Sequence, residues 1–271
     1  MTILDRLRHL VTDPPPRHVF EFSNAGIAWA VPGAGHSGIE TGFTPLPSGV
    51  LEASPLKDNI LDTGALTAAL RNIAPVSANS KKRRPCVVIL PDFCARLAVL
   101  DFEHFPKKVE EQAPLVRFRV KKTMPFDIES AAIQFHAQPG GHVVVVAVSL
   151  EILARYEQLM RALEFHPGLV TLATLAALDG IVPSPGFTVY TRVAGRILSL
   201  SAVENGVLRL TRTVELTSDS EEEVASVVDP TVAFLEDEFG AKGVKSVRMA
   251  HQNDAGLQGY LASCRSVEAA A

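Results

Sequence analysis

The stretch from Cys86 to Gly180 constrains the fold of this chain more than any other part. Short apolar and alternating segments near its start predict two strands, and Val109–Lys122 is predicted to be a helix that ends before Pro125, because proline ends helices. Ser130–Gln138 and His142–Ser149 flank a Pro-Gly-Gly turn signal, so we expect them to pair as antiparallel strands. The stretch therefore predicts an α+β unit that is long enough to hold its own core.

The rest of the chain continues this alternation of strands and helices. Ser149 opens an amphipathic helix whose apolar residues recur at helical spacing: Leu153, Tyr156, Leu159, Met160 and Leu163. The other predicted elements are a hairpin at His18–Ala30, a helix at Asn59–Ile73, strands at Gly186–Val193, Arg196–Val203 and Val207–Leu216, a helix at Asp219–Phe239 and a strand at Val244–Ala250. This order predicts two related lobes of the βαβ type, of which the second is shorter.

Composition places the chain among folded globular proteins. Its 271 residues can form one large domain or two smaller ones, and 47% are apolar while 21% are charged. A net charge of −4 gives no indication of a nucleic-acid partner. Three cysteines without a Cys-x-x-Cys pair indicate a reduced, cytoplasmic compartment. No continuous apolar run approaches the ~18 residues of a membrane-spanning helix.

The N-terminal residues predict a separate short element. Met1–Val11 places its apolar residues on one face, and Pro14-Pro15-Pro16 ends the pattern. We expect an amphipathic helix that packs on the body of the protein. A weak contact with a membrane surface is the alternative, although the helix carries little positive charge.

The sequence contains no recognisable catalytic constellation. It lacks a P-loop and a Gly-x-Ser-x-Gly motif, and its eight histidines do not pair with other ligands at a metal-binding spacing. We therefore predict that the protein is not an enzyme and holds no metal ion.

Three segments of the central stretch resemble one protein family. They read LPDFCARLAVLDFEHFP, RFRVKKTMPFDIESAAIQF and VSLEILARYEQLMRALEFHPGLVTLATLAAL. In this order they resemble the type IV pilus assembly proteins of the PilM family, which are actin-like relatives of the cell-division protein FtsA. The resemblance covers about a third of the chain in one block.

The resemblance implies an α/β fold of two actin-like, ribonuclease-H-like lobes with a PilM-type inserted α+β subdomain and a reduced second lobe. The expected organisation is an N-terminal helix and linker at 1–17, the first lobe at 18–85, the inserted subdomain at 86–149, helices that return to the first lobe at 150–182, and the second lobe at 183–271. A cleft-closing subdomain that the family usually carries in the second lobe has no room here.

The resemblance also locates a nucleotide site that has lost its chemistry. In actin-like ATPases two hairpins carry Asp-x-Gly, whose amides wrap the phosphates and whose carboxylate organises the metal. Here Glu21 and Phe22-Ser23 stand at the first hairpin, Tyr190 and Arg192 at the second, and His251-Gln252 replace a glycine pair near the adenine. The degenerate positions are Glu21, Ser23, Asn24, Thr191 and His251. We expect no cofactor and no tight binding of ATP.

The implied function is that of a scaffold at the inner face of the inner membrane. In PilM the cytoplasmic N-terminal tail of the membrane protein PilN binds as an extended peptide between the body and the inserted subdomain. A PilN-like protein is the expected partner, together with other pilus platform proteins, and membrane association is expected only through partners. The candidate contact residues are Leu97, Val99, Arg117, Phe118 and Lys121.

Three alternatives remain open at this point. The protein could be a PilM-like protein regulated by bound ATP. It could also be an actin-like cytoplasmic component of a type II secretion or competence system, resembling GspL. A relative of carbohydrate or acetate kinases is disfavoured by the missing acidic residues and the missing subdomain.

Overall fold

The computed structural model describes residues 16–33, 38–75, 83–182, 184–218, 220–240, 243–249 and 254–270, with side chains of the last helix as far as residue 264. The predicted N-terminal helix at Met1–Val11 and the predicted nucleotide position His251 lie outside these residues. Within the described part, none of the helices is long and apolar enough to cross a membrane.

The first lobe is built on a five-stranded sheet in the order β3-β2-β1-β4-β8. β1, β4 and β8 run parallel, while β2 and β3 add as an antiparallel extension. The strands are β1 (His18–Ser23), β2 (Gly26–Pro32), β3 (Ile39–Pro45), β4 (Arg84–Leu90) and β8 (Phe165–Leu172). The apolar run Cys86–Leu90 of β4 is buried along its whole length, because helices cover both faces of the sheet at this strand.

Four helices cover the two faces of this sheet. They are α1 (Thr63–Ile73), α3 (Leu150–Ala162), α4 (Ala173–Asp179) and α6 (Ala255–Ala270). Leu66 of α1 and Tyr156 of α3 pack on one face with Phe22. Ala173 of α4 and Leu257 of α6 pack on the opposite face. The amphipathic pattern that predicts α3 is thus explained by one buried side.

The second lobe consists of a four-stranded sheet and one helix. The sheet order is β11-β10-β9-β12. Its elements are β9 (Phe187–Ala194), β10 (Ile197–Glu204), β11 (Val207–Glu215), α5 (Glu221–Phe239) and β12 (Lys245–Arg248). The Ser220 side chain caps α5 by accepting from the amide of Glu223, and Gly240 ends the helix in the left-handed conformation. Since β11 leads directly into α5, the reduced second lobe is confirmed.

The inserted subdomain is a three-stranded sheet covered by one helix. Its elements are β5 (Ala95–Asp101), α2 (Val109–Val120), β6 (Ala131–Ala137) and β7 (His142–Ser149), with strand order β5-β7-β6. Val116 and Val120 of α2 pack against Val143 and Val145 on one face of the sheet. The opposite face, which includes Leu97, joins the core of the first lobe.

The element boundaries differ from the predicted ones in three places. β4 begins at Arg84 and pairs with β1 and β8, so the sheet of the inserted subdomain begins at Ala95 and not at residue 86. The segment 150–182, predicted as helices, contains the strand β8, which Pro167 and Gly168 disguise in the sequence. Helix α1 begins at Thr63, because Asp62 caps it through the amide of Ala65.

Candidate functional site

A buried arginine of the second lobe contacts two carboxylates of the first lobe. Nη2 of Arg192, on β9, lies 2.5 Å from Oε1 of Glu21 on β1, and Nη1 lies 3.2 Å from Oδ2 of Asp92. Asp92 follows β4, and all three side chains are at most 4% exposed. We call Glu21, Asp92 and Arg192 the cleft cluster. It occupies the region between the two hairpins where the sequence predicts a degenerate nucleotide site.

Each carboxylate oxygen of the cleft cluster accepts a hydrogen bond. The amide of Leu257, at the start of α6, donates to Oε2 of Glu21 at 2.8 Å. The amide and the hydroxyl of Thr174, on α4, donate to Asp92 at 2.8 Å, and the Ser199 hydroxyl donates to Oδ2 of Asp92 at 2.6 Å. Donors from β9, β10 and two helices therefore bind the two carboxylates. Such bonds compensate for the water that a buried charge loses.

Burial shifts the acidity of the cleft cluster. Removal from water raises the pKa of Glu21 to about 7, although Arg192 and the amide of Leu257 favour the charged form. The nearby negative charge of Asp92 adds to the rise, because a like charge disfavours ionisation of Glu21. Glu21 therefore titrates near neutral pH.

Little space remains beside the cleft cluster. The adjoining cavity, lined by Ser23, Asn24, Asp92 and Arg192 among others, has a volume of about 10 Å³. This is the room of about one water molecule. Among the residues that the structure describes, no group of three His, Cys, Asp or Glu side chains could hold a metal ion.

The predicted nucleotide positions have different surroundings. Glu21 belongs to the cleft cluster, whereas the Ser23 hydroxyl bonds within its own turn, to the carbonyl and amide of Gly26. Asn24 accepts from the amide of Ala53, and the Thr191 hydroxyl is directed towards the carbonyl of Val247. The sequence did not predict the roles of Asp92, Thr174 and Ser199. Of these residues only Asp92 stands in a recognisable motif, since it ends Leu-Pro-Asp.

A larger groove of about 450 Å³ opens where the inserted subdomain meets both lobes. Val144 of the inserted sheet lines it, together with Leu169 and Leu175 of the first lobe. Tyr190 and Leu208 of the second lobe contribute to the same groove. We call this feature the interlobe groove.

A side-chain amide fixes the inserted subdomain beside this groove. The Gln138 side chain donates to the carbonyl of Leu208 at 3.0 Å and accepts from its amide at 2.9 Å. Gln138 itself lines the interlobe groove.

The predicted partner contacts lie on two sides of the inserted sheet. Leu97 is buried in the core, and Val99 pairs with Val144, which lines the interlobe groove. The other three residues lie on or just after α2, which covers the opposite face of the sheet. Arg117 bonds the carbonyl of Ile128 and the carboxylate of Glu129 there, Phe118 is 71% exposed, and Lys121 is exposed. Their contact with a partner remains a prediction.

Comparison with known proteins gives structural matches only. No family model matches the sequence, and a search of curated proteins finds no match. A chain of the PilM-PilN type IV pilus biogenesis complex is 16% identical, with a TM-score of 0.60 over 94% of this chain and 77% of that chain.

Two further solved structures are similar over most of their length. One is the cytoplasmic domain of EpsL, an inner-membrane component of the type II secretion system of Vibrio cholerae; it is 14% identical, with a TM-score of 0.53 over 85% of this chain and 81% of that chain. The other, from Bacteroides thetaiotaomicron, is a protein with an actin-like ATPase fold and unknown function. It is 12% identical, with a TM-score of 0.53 over 91% and 95% of the two chains. The chain therefore has the actin-like fold, and its predicted resemblance to PilM is confirmed at the level of structure.

Proposed function

We propose that this protein is a non-catalytic scaffold that binds the cytoplasmic N-terminal peptide of a PilN-like inner-membrane protein in the interlobe groove. One observation carries the proposal: the cleft between the hairpins is filled by protein side chains, while the interlobe groove is open. The similarity in fold to a chain of the PilM-PilN complex supports the choice of partner.

The chemistry of the cleft argues against nucleotide binding. Phosphates would meet the carboxylates of Glu21 and Asp92, and the amide of Leu257 already donates to Glu21. Magnesium would compete with the guanidinium of Arg192 for the same oxygens. The cavity of about 10 Å³ is far below the several hundred Å³ of typical ligand sites. We infer that the protein has no ATPase activity.

The interlobe groove suits a short extended peptide. β8 is at the edge of the first sheet, and within the described residues no strand pairs with its outer side. An added strand would gain main-chain hydrogen bonds there, and alternate side chains would enter apolar pockets. Leu169 of β8 is 44% exposed and lines the groove, as does Val144 of the facing sheet. Val99, paired with Val144, is the predicted contact residue nearest to this path.

The partner would place the protein at the cytoplasmic face of the inner membrane, where other platform proteins could also bind it. A second candidate is a cytoplasmic role in a type II secretion system. The observation that favours it is the similarity to the cytoplasmic domain of EpsL. The two candidates share the interlobe groove and differ in the machine that supplies the peptide.

A peptide titration tests the proposal. The probe is a synthetic peptide with the sequence of the cytoplasmic N-terminal tail of a PilN-like inner-membrane protein. We expect a dissociation constant of tens of micromolar or lower, which corresponds to a binding free energy of about −6 kcal/mol or a more negative value. Leu169→Glu should weaken binding by about tenfold or more, because it places a charge in an apolar pocket.

Phe118→Glu is the comparison variant, because this exposed residue, itself a predicted partner contact, lies on α2, across the inserted sheet from the groove. It should leave peptide binding unchanged. No binding by correctly folded wild-type protein would refute the scaffold function. Weakening by Phe118→Glu but not by Leu169→Glu would move the contact away from the interlobe groove and towards the predicted α2 residues.

A further inference from the structure

The interlobe groove is formed by both lobes. Leu169 and Leu175 belong to the first lobe, whereas Tyr190, Val203 and Leu208 belong to the second. Because these walls come from different lobes, the width of the groove depends on how the lobes are placed relative to each other.

Arg192 of the cleft cluster and the neighbouring Ser199 lie on the same strand faces as the second-lobe wall of the groove. Side chains two residues apart on a strand point to the same side, about 7 Å from one another. Arg192 therefore shares a face of β9 with Tyr190. On β10, Ser199 shares a face with Val203, and it pairs with Arg192 in register. Contacts of Arg192 and Ser199 with the first lobe thus fix the adjacent groove wall.

The geometry of Arg192 is suited to holding the second lobe against the first. Its two terminal nitrogens reach acceptors in different elements of the first lobe, Glu21 on β1 and Asp92 after β4. A planar guanidinium held at two points fixes an orientation as well as a distance, which a lysine ammonium group does not. In addition, the buried Ser199 hydroxyl binds Asp92 from the neighbouring strand.

We propose that Arg192 is a positioning residue that holds the two lobes in the closed arrangement from within the chain, and thereby sets the interlobe groove for its peptide without any nucleotide. This inference rests on the proposed function for the identity of the ligand. Lobe closure itself is independent of that identity. If closure is lost, only a fraction of molecules has a formed groove, and the apparent dissociation constant rises by the inverse of that fraction.

The test removes the whole cleft cluster without leaving a buried charge unpaired. The triple variant Glu21→Gln, Asp92→Asn, Arg192→Met is neutral at all three positions, so it should fold with an unfolding midpoint near that of the wild type. Cysteines are introduced for spin labels at two exposed positions, Leu56 of the first lobe and Glu222 of the second. The labels report the distance between the lobes. Cys264 is changed to serine so that only the introduced cysteines are labelled. Peptide affinity is measured with the synthetic tail peptide.

We expect one narrow distance distribution in the wild type, identical with and without ATP and Mg²⁺. The triple variant should show a broader distribution and bind the peptide about tenfold or more weakly, and Arg192→Lys should fall between the two. Arg196→Met is the control, since the exposed Arg196–Glu215 pair lies within the second lobe. It should match the wild type in both measurements.

The outcomes separate the two proposals. If wild-type protein does not bind the peptide, the proposed function fails, and the distance distributions alone decide the role of Arg192. An unchanged distribution in a folded triple variant would overturn that role. If the triple variant does not fold, a broad distribution in the unliganded wild type would overturn it as well.

Discussion

At the scale of single residues, Arg192 determines the chemistry of the cleft, because it bonds two buried carboxylates. Arg192 or its neighbour stands where the family resemblance expects a glycine, and the Arg192 side chain fills the cleft beside Glu21 and Asp92. The sequence identified Glu21 and Arg192 as altered positions. It could not predict that they bond each other, because they lie 171 residues apart and no periodic pattern links them. Ser199 gave no signal at all, since a serine on an alternating strand is unremarkable.

The acidity of Glu21 predicts how stability changes with pH. Its pKa is 4.5 before burial and about 7 in the fold, so the folded state binds the proton more tightly. The contribution of Glu21 to stability is complete below pH 4.5 and is lost as pH rises through about 7. The whole change is on the order of 3 kcal/mol. Glu21→Gln should therefore flatten the pH dependence of the unfolding free energy between pH 5 and 8.

Denaturant unfolding at several pH values checks this prediction. Glu215→Gln is the control, because it removes a carboxylate from an exposed surface ion pair of the second lobe. Parallel curves for the wild type and Glu21→Gln would contradict the assignment.

At the scale of elements, the packing of α4 against α6 shows how close contact depends on glycine. A Cβ atom on Gly259 of α6 would lie 2.2 Å from the carbonyl oxygen of Ala176 and 2.4 Å from Cα of Ala177. Both obstacles are backbone atoms, which cannot rotate away. The approach of these helices also brings the amide of Leu257 to Glu21. Helix packing and the cleft cluster are thus connected.

Gly259→Ala should destabilise the protein by about 1–3 kcal/mol, because the helices must separate to admit the methyl group. The same substitution at Gly64, an exposed position of α1, is the control. There alanine should stabilise by up to about 1 kcal/mol, since it is the better helix former. Unfolding midpoints in urea distinguish the two. Similar effects at both positions would show that α4 and α6 are not closely packed.

Most elements could be predicted from local patterns, and the exceptions have physical reasons. The strand β7 and the helix α3 follow their periodicity closely, because each has one buried side, and β6 follows from the Pro-Gly-Gly turn that joins it to β7. β8 could not be recognised, since Pro167 and Gly168 interrupt it and the strand stays in place through its pairing with β4. Its edge position is a tertiary property, so the part of β8 in the interlobe groove could not be predicted, although the family resemblance implied a groove between the body and the inserted subdomain.

At the scale of the molecule, the order of elements along the chain predicted two lobes, and the family resemblance predicted the inserted subdomain. The packing of the lobes was not predictable. It depends on contacts between distant segments, such as the two hydrogen bonds between Gln138 and Leu208 and the bonds of Arg192 with two acids. These contacts close the cleft on one side and shape the groove on the other. We therefore expect this closed cleft to exclude nucleotide.

Titration calorimetry with ATP and Mg²⁺ tests that claim most directly. We expect no binding heat with nucleotide up to about 1 mM, which means a binding free energy less favourable than about −4 kcal/mol. The tail peptide, titrated into the same protein sample, should bind with and without nucleotide. A dissociation constant for ATP in the micromolar range would contradict the account, because it would require the bonds of Arg192 to Glu21 and Asp92 to give way to a ligand.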